Sequence, residues 1–368
     1  MSQFNIMKFL TIFILLTNLC FGQTEKKIKS IREKVIFLND SIQNYKLFEM
    51  DGDYGHSGFI SPEATTSRFN QHWYNEYFVH YLNNQRNYNE KGLLISEDWF
   101  YKDDNLISSY SYNYTEFDSL ARIKETNTDN TDYITTDLTY NYKNLLRSEL
   151  TYWSEDSQNF SLKLNEYDES GIKLIKESFF NEEGYDRSNF YSYNNEKNTI
   201  IVKEHVPNVW STYDAKSYYQ KPDSIGTYYT KYIKYFDKSS QLIKVLYFSP
   251  PSYNSDSKLN RSIFYKYDNS KNIIEQKFIF PYSNEEYIYQ KKYDKENKLT
   301  WEKDDEGITK EYFYDAKKRI KKLVITNKNG VVEVTFKYRF DKFENWIEQI
   351  KIINGIERFI WKREIVYY

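Results

Sequence analysis

Cysteine is almost missing from the sequence: Cys20 is the one example in 368 residues. Glycine and proline are scarce, at 11 and 6, and histidine occurs only as His56, His72, His80 and His205. A single thiol excludes an internal disulfide framework. The scattered histidines form no HExxH or other tight metal-ligand spacing. The densest candidate, Asp51, Asp53 and His56 in "DGDYGH", reads first as a loop turn. No phosphate-binding glycine loop and no GxSxG elbow is present. Adjacent acids such as Asp304 and Asp305 read as a solvated turn. No cofactor, no metal and no catalytic residue is therefore expected. An excess of charge is missing too, because 51 Lys and Arg stand against 53 Asp and Glu. A net charge of −2 gives no general pull toward nucleic acid or an anionic membrane.

Long apolar runs are confined to the N-terminus. "MKFLTIFILLTNLCFG" (7–22) places Lys8 before an apolar stretch from Phe9 to Leu16 and ends on the small residues Cys20 and Gly22. This is a signal-peptide pattern over 1–22, with cleavage expected before Gln23. The stretch is too short to span a membrane. Leu19 precedes Cys20 where lipidation requires a small residue. The expected mature protein is exported to the periplasm, the cell envelope or the medium. It has no cysteine and no transmembrane helix.

Aromatic residues are abundant: 38 Tyr and 25 Phe, with a mean hydropathy of −0.81. Residues 23–48 carry Ile28, Ile31, Val35, Leu38 and Ile42 at helical spacing, which predicts an amphipathic N-terminal helix. Residues 49–85 read as a loop-rich linker or cap. From 86 to 368 one phrase recurs in changed words, as in "YKYDNSKNIIEQK", "KKYDKENKLTWE" and "EYFYDAKKRIKKL". Hooks aligned on their aromatic residue start at Tyr88, Tyr101, Phe117, Tyr142, Tyr167, Tyr193, Phe236, Tyr267, Tyr293, Tyr314 and Phe340. Their common spacing of 25 or 26 residues is two strands and two turns.

The hook can be derived as a hairpin. Counting the aromatic as position 0, an Asp sits at +1 in Tyr167-Asp168, Phe236-Asp237, Tyr267-Asp268, Tyr293-Asp294, Tyr314-Asp315 and Phe340-Asp341. An aliphatic residue is common at +6, as Leu242, Ile273, Leu299 and Ile320. A turn over +1 to +4 makes 0 and +6 cross-strand neighbours on one face. The Asp side chain is then free to accept from the turn's own N–H groups. Gly171 at +4 with Leu174 at +7 predicts a bulge after Tyr167, and Lys271 and Lys318 fall where a left-handed backbone is needed.

These hooks resemble the tyrosine-aspartate repeats of the Rhs family, whose unit is Tyr-Asp, two residues, Gly, one residue, then Leu or Ile. "YDKENKL" (293–299) and "YDAKKRI" (314–320) match with the Gly replaced, and "YNEKGLL" (88–94) keeps the Gly but has Asn for Asp. The ending "FDKFENWIEQIKIINGIERFIWKREIVYY" is similar to the tails of small secreted repeat proteins of this kind from Bacteroidota. The resemblance covers about residues 85 to 368. It implies a curving sheet of repeated hairpins. The toxin role of large family members is not expected, because no effector segment follows the last strand here.

The expected fold is mainly β: an extended, curved antiparallel meander of hairpins with a short N-terminal helix. An outer-membrane barrel is disfavoured because "IIEQKFIF" (273–280) puts Glu275 and Lys277 on one face and Gln276 on the other. The tyrosine excess has a structural reading, rings packing sideways on a sheet wetted on both faces. The functional reading is an aromatic binding platform using Trp73, Trp99, Trp153 or Trp210, which lie outside the hooks. The long insert 205–224, the loop 249–258 and the N-terminal loop 49–63 are the expected places for such contacts. The expected function is a monomeric, non-catalytic exported scaffold binding a protein or other macromolecule, with a glycan-binding or glycan-active protein as the alternative.

Overall fold

The computed structural model describes residues 26–38, 59–127, 133–153, 159–207, 226–251 and 256–368. The signal segment, Asp51, Asp53, His56 and Trp210 lie outside the described residues. The chain enters through β1 (Ile28–Phe37) and α1 (Pro62–Asn75), then β2 (Asn83–Tyr88), β3 (Leu94–Phe100), β4 (Leu106–Tyr114) and β5 (Leu120–Asn127). It continues as β6 (Tyr133–Tyr140), β7 (Leu146–Trp153), β8 (Phe160–Tyr167), β9 (Leu174–Asn181), β10 (Gly184–Asn194) and β11 (Thr199–Val206). Next come β12 (Thr227–Phe236), β13 (Leu242–Phe248), β14 (Leu259–Tyr267), β15 (Ile273–Phe280), β16 (Glu285–Tyr293) and β17 (Leu299–Lys303). The last strands are β18 (Thr309–Tyr314), β19 (Ile320–Asn327), β20 (Gly330–Phe340), β21 (Trp346–Ile353) and β22 (Ile356–Tyr367).

Each strand pairs antiparallel with its chain neighbours, and β1 pairs with both β2 and β22. The 22 strands therefore form a closed barrel, not the open meander expected. Closure removes both sheet edges. The expected helix over 23–48 is also corrected, because residues 28–37 are strand β1. Its inward residues are Ile31, Glu33, Val35 and Phe37, facing Ile365, Arg363, Trp361 and Phe359 of β22. The inward Glu33 masks the strand's alternation, and the helical spacing of the isoleucines then misleads.

The one helix among the described residues lies in the segment expected to be a loop-rich linker. Ser61 caps it, accepting at 3.2 Å from the Ala64 N–H, and Pro62 opens its first turn. The helix is about 21 Å long, and strands lie about 4.8 Å apart. Yet its segment touches strands from β18 round through β22 and β1 to β6. Asn75 accepts from the Tyr312 hydroxyl, Phe69 packs on Trp361 with ring centres 4.6 Å apart, and Thr66 accepts from Arg86. Ile60 and Pro62 share a cavity with Ile123 and Ile134. Only a sheet curling around the helix permits this, so α1 sits inside the barrel. Phe69, Trp73, Val79 and Leu82 join Val35, Trp99, Leu323, Val334, Phe359 and Trp361 in the main core.

The alternation places charged cross-strand pairs outside. Lys266–Glu275 and Lys277–Glu286 are each 2.7 Å apart, Lys337–Glu357 2.9 Å and Arg122–Asp137 2.5 Å. An apolar outer row does occur at β7–β10, where Leu150, Leu162, Phe180 and Tyr185 lie side by side. It covers one sector and does not encircle the barrel.

Candidate functional site

The hooks stand at one rim. Tyr88 pairs with Leu94, Phe236 with Leu242, Tyr267 with Ile273, Tyr293 with Leu299, Tyr314 with Ile320 and Phe340 with Trp346. The +1 carboxylate holds the turn: Asp294 Oδ1 accepts from Glu296 and Lys298, at 2.8 and 3.0 Å. Asp237, Asp268 and Asp341 accept in the same way. The +4 residue is left-handed, including Lys271 at φ 69° and Lys318 at φ 68°. Tyr167 pairs with Leu174, one residue later than usual, and Asp168 accepts from Ile172 and Lys173.

Hooks assigned to Tyr101, Phe117 and Tyr142 are displaced. The paired residues are Phe100 with Leu106, Tyr114 with Leu120 and Tyr140 with Leu146. Thr115 and Asn141 take the place of Asp and accept the same turn N–H groups. The Phe100 hairpin belongs to the opposite rim, and Arg32 lies over the Phe100 ring at 3.9 Å.

Most hook tyrosines also use their hydroxyls. Tyr114 donates to the Leu94 carbonyl, Tyr140 to Leu120, Tyr167 to Leu146, Tyr267 to Leu242 and Tyr314 to Leu299, at 2.6–2.8 Å. Each acceptor is the +6 residue of the preceding hook at that rim. The bond joins two strand ends that no turn connects. Phe340 has no hydroxyl, and Tyr338 donates to Ile320 instead.

Further in, carboxylates meet tyrosines and cations. Tyr112 donates to Glu97, Tyr191 to Glu177, and Tyr312 to Glu302. Glu33 lies between Arg86 at 3.1 Å and Arg363 at 2.7 Å. Burial raises the Glu33 carboxyl, yet Arg363 and Arg86 outweigh it and hold the group below the usual carboxylate range. Lys351 is fully buried and donates to the carbonyls of His72 and Phe78, both at 2.8 Å, which fastens the end of α1. Burial holds its ammonium well below the usual lysine range.

Among the described residues, two hollows stand out. One, about 200 Å³, lies between the start of α1 and β4–β6, lined by Glu63, Tyr110, Tyr112, Ile123, Glu125 and Ile134 among others. The larger, about 400 Å³, is a groove on the inner face of β14–β16, formed by Arg261, Gln276, Phe278, Phe280, Tyr287 and Tyr289. Pairing aligns Gln276 with Tyr289 and Phe278 with Tyr287, so the two strands stack their rings in one patch. Ring centres of Phe278 and Tyr289, and of Phe280 and Tyr287, are 5.6 Å apart at steep angles. Arg261 lies over Tyr247 at 4.6 Å. Burial, helped by Asp305, pushes the Tyr289 hydroxyl up to about 12.

Of the four candidate tryptophans, two are excluded as a ligand face, and Trp210 lies outside the described residues. Trp73 and Trp99 are 0% and 1% exposed, respectively, both inside the main core, so neither offers a face to a ligand. Trp153 is exposed at the end of β7, remote in the sheet from the other two. The groove on β14–β16 escaped notice although "FIF" (278–280) and "YIY" (287–289) flank one turn and alternate in step. That mirrored aromatic pair was the available signal.

No protein-family model and no curated protein sequence matches the chain. Solved structures of similar β-rich form include the TcdB2-TccC3-TEV complex, at 11% identity, 74% coverage of this chain and a TM-score of 0.32. The chain spans 15% of the length of that structure's chain. A porin-like protein from Bacteroides uniformis is 10% identical, with 92% of this chain and 98% of that one covered and a TM-score of 0.26. A protein of unknown function from Bacteroides fragilis is 14% identical over 44% of this chain and 91% of its own, with a TM-score of 0.22. At these scores the likenesses carry no functional inference.

Proposed function

We propose that the protein is an exported, water-exposed barrel that works as a non-catalytic binding scaffold for a macromolecular partner. The observation that carries this reading is how the reactive side chains are occupied. Hook aspartates hold turns, and Glu33, Glu97, Glu177 and Glu302 are bound by tyrosine hydroxyls or cations. A catalytic site instead gathers unlike groups around one open position. The resemblance of the hooks to Rhs-type repeats supports a scaffold role, since repeat arrays present extended surfaces. The charged pairs outside β14–β16 and β20–β22 argue against a lipid-facing surface, which needs an apolar band around the whole circumference. Among the described residues no helix is long and apolar enough to cross a membrane.

The test is affinity capture from the exported fraction with the mature chain as bait, joined to glycan and peptide turnover assays. The expected result is a partner retained in fixed ratio and no turnover. Turnover abolished by substituting one acid outside the hooks, with the fold intact, would overturn the scaffold reading. A second reading, glycan binding, is favoured by the aromatic groove on β14–β16.

A further inference from the structure

We infer that the luminal groove on β14–β16 is a binding site for an acidic oligosaccharide, one whose sugars carry carboxylates. The inference deepens the scaffold reading by naming a ligand class, and rests on that reading only for the absence of catalysis. Three features of the groove point the same way. Phe278, Phe280, Tyr287 and Tyr289 present ring faces and edges along two adjacent strands. Such rings receive the apolar C–H faces of sugars, while the tyrosine hydroxyls are held by carboxylates, Tyr287 by Glu285 and Tyr289 by Asp305.

The polar groups at the two sides of the groove differ in sign. On the β14 side, Arg261 packs against Tyr247, its cross-strand partner, and hydrogen-bonds its hydroxyl; Phe280 also lines the groove, and among the described residues Arg261 makes no ion pair with a carboxylate. A guanidinium in that position suits a planar carboxylate, which it can bind through two parallel N–H bonds. On the β16 side, Glu285 accepts from the Tyr287 hydroxyl at 3.0 Å, and Asp305 lies beside Tyr289. Carboxylates there would repel an anion but accept hydrogen bonds from sugar hydroxyls. Gln276, between the two sides, both donates and accepts. A ligand with one carboxylate, several hydroxyls and an apolar ring face answers all of these groups at once. A fatty acid lacks the hydroxyls, and a neutral sugar leaves Arg261 unanswered.

The test is isothermal titration of the full mature chain with a galacturonate hexasaccharide and with neutral cellohexaose, at equal ionic strength. The acidic sugar is expected to bind about tenfold tighter, the size of one charge-assisted contact. Arg261→Gln should bring the two sugars level, and Arg261→Lys should restore part of the preference. Tyr289→Ala should weaken both sugars, and Arg339→Gln on the outer face should change neither. Equal melting temperatures would show that the Arg261 variants are folded. Equal affinity for the two sugars, or a preference that survives Arg261→Gln, overturns the inference. If neither sugar binds while the chain still captures a macromolecular partner, the inference falls and the scaffold reading stands. If the chain binds galacturonate and degrades it, the scaffold reading falls and the site assignment stands.

Discussion

At the scale of the residue, the hook tyrosine has two separable roles. Its ring covers the aliphatic residue across the hairpin, and its hydroxyl joins that hairpin to the one before it. Tyr314→Ala and Ile320→Ala should each cost about 2–4 kcal/mol in urea unfolding. The double variant should cost less than their sum, because the two residues are directly opposed. Tyr314→Phe isolates the hydroxyl and should cost about 0.5–1.5 kcal/mol through the freed Leu299 carbonyl. If Tyr314→Phe were neutral, the seal between hairpins would be decorative. The hook carboxylates give a pH signature. The Lys298 backbone N–H holds Asp294 below the usual carboxylate range, and the Asn272 amide does so for Asp268. A depressed folded pKa contributes stability that is complete above the unfolded value, about 3.9, and is lost as pH falls through the folded value. Stability should therefore decline below about pH 4, and Asp294→Asn should make that decline shallower. An unchanged acid profile would remove Asp294 from the account.

At the scale of the element, legibility in the sequence followed the range of the interaction. The hairpin register rests on turn chemistry within a few residues, and the pairing of Tyr293 with Leu299 or Tyr314 with Ile320 follows from it. Where Thr115 and Asn141 replace Asp, the exposed aromatics Phe117 and Tyr142 attract the alignment to the wrong position. β1 was obscured for a different reason: its inward Glu33 is acceptable only beside Arg86 and Arg363, which come from β2 and β22. Nothing near residue 33 announces partners so far along the chain. Glu33→Ala should cost about 3–5 kcal/mol, because it removes the carboxylate that Arg363 pairs with and leaves Arg86 only Glu97, and should loosen β1 before other strands. A loss under 1 kcal/mol would mean that the ion network does not hold β1 in place. The tryptophans were misread for a related reason. Position outside a hook does not imply exposure, since α1 and β3 bury Trp73 and Trp99 against each other's surroundings. The β14–β16 groove depends on a hairpin placing Phe278 opposite Tyr287, a register visible only once the strands are paired.

At the scale of the molecule, two properties separate this barrel from the open array that the repeats imply. Tyr368 donates to the Tyr88 carbonyl at 2.5 Å, and its N–H donates to Lys27 at 3.0 Å, so the final residue ties the first hook to β1. Among the described residues, the helix occupies one sector of the lumen, and the groove on β14–β16 lies in another. Closure is the claim on which the luminal site depends, because an open sheet would have neither an inside nor a sheltered groove. Amide hydrogen exchange on the mature chain, purified without detergent, tests it most directly. In a closed barrel the β1 and β22 amides are protected as strongly as those of β20 and β21. Exchange of β1 and β22 within seconds, beside slow exchange in β20 and β21, would reveal two free edges and contradict the closed barrel.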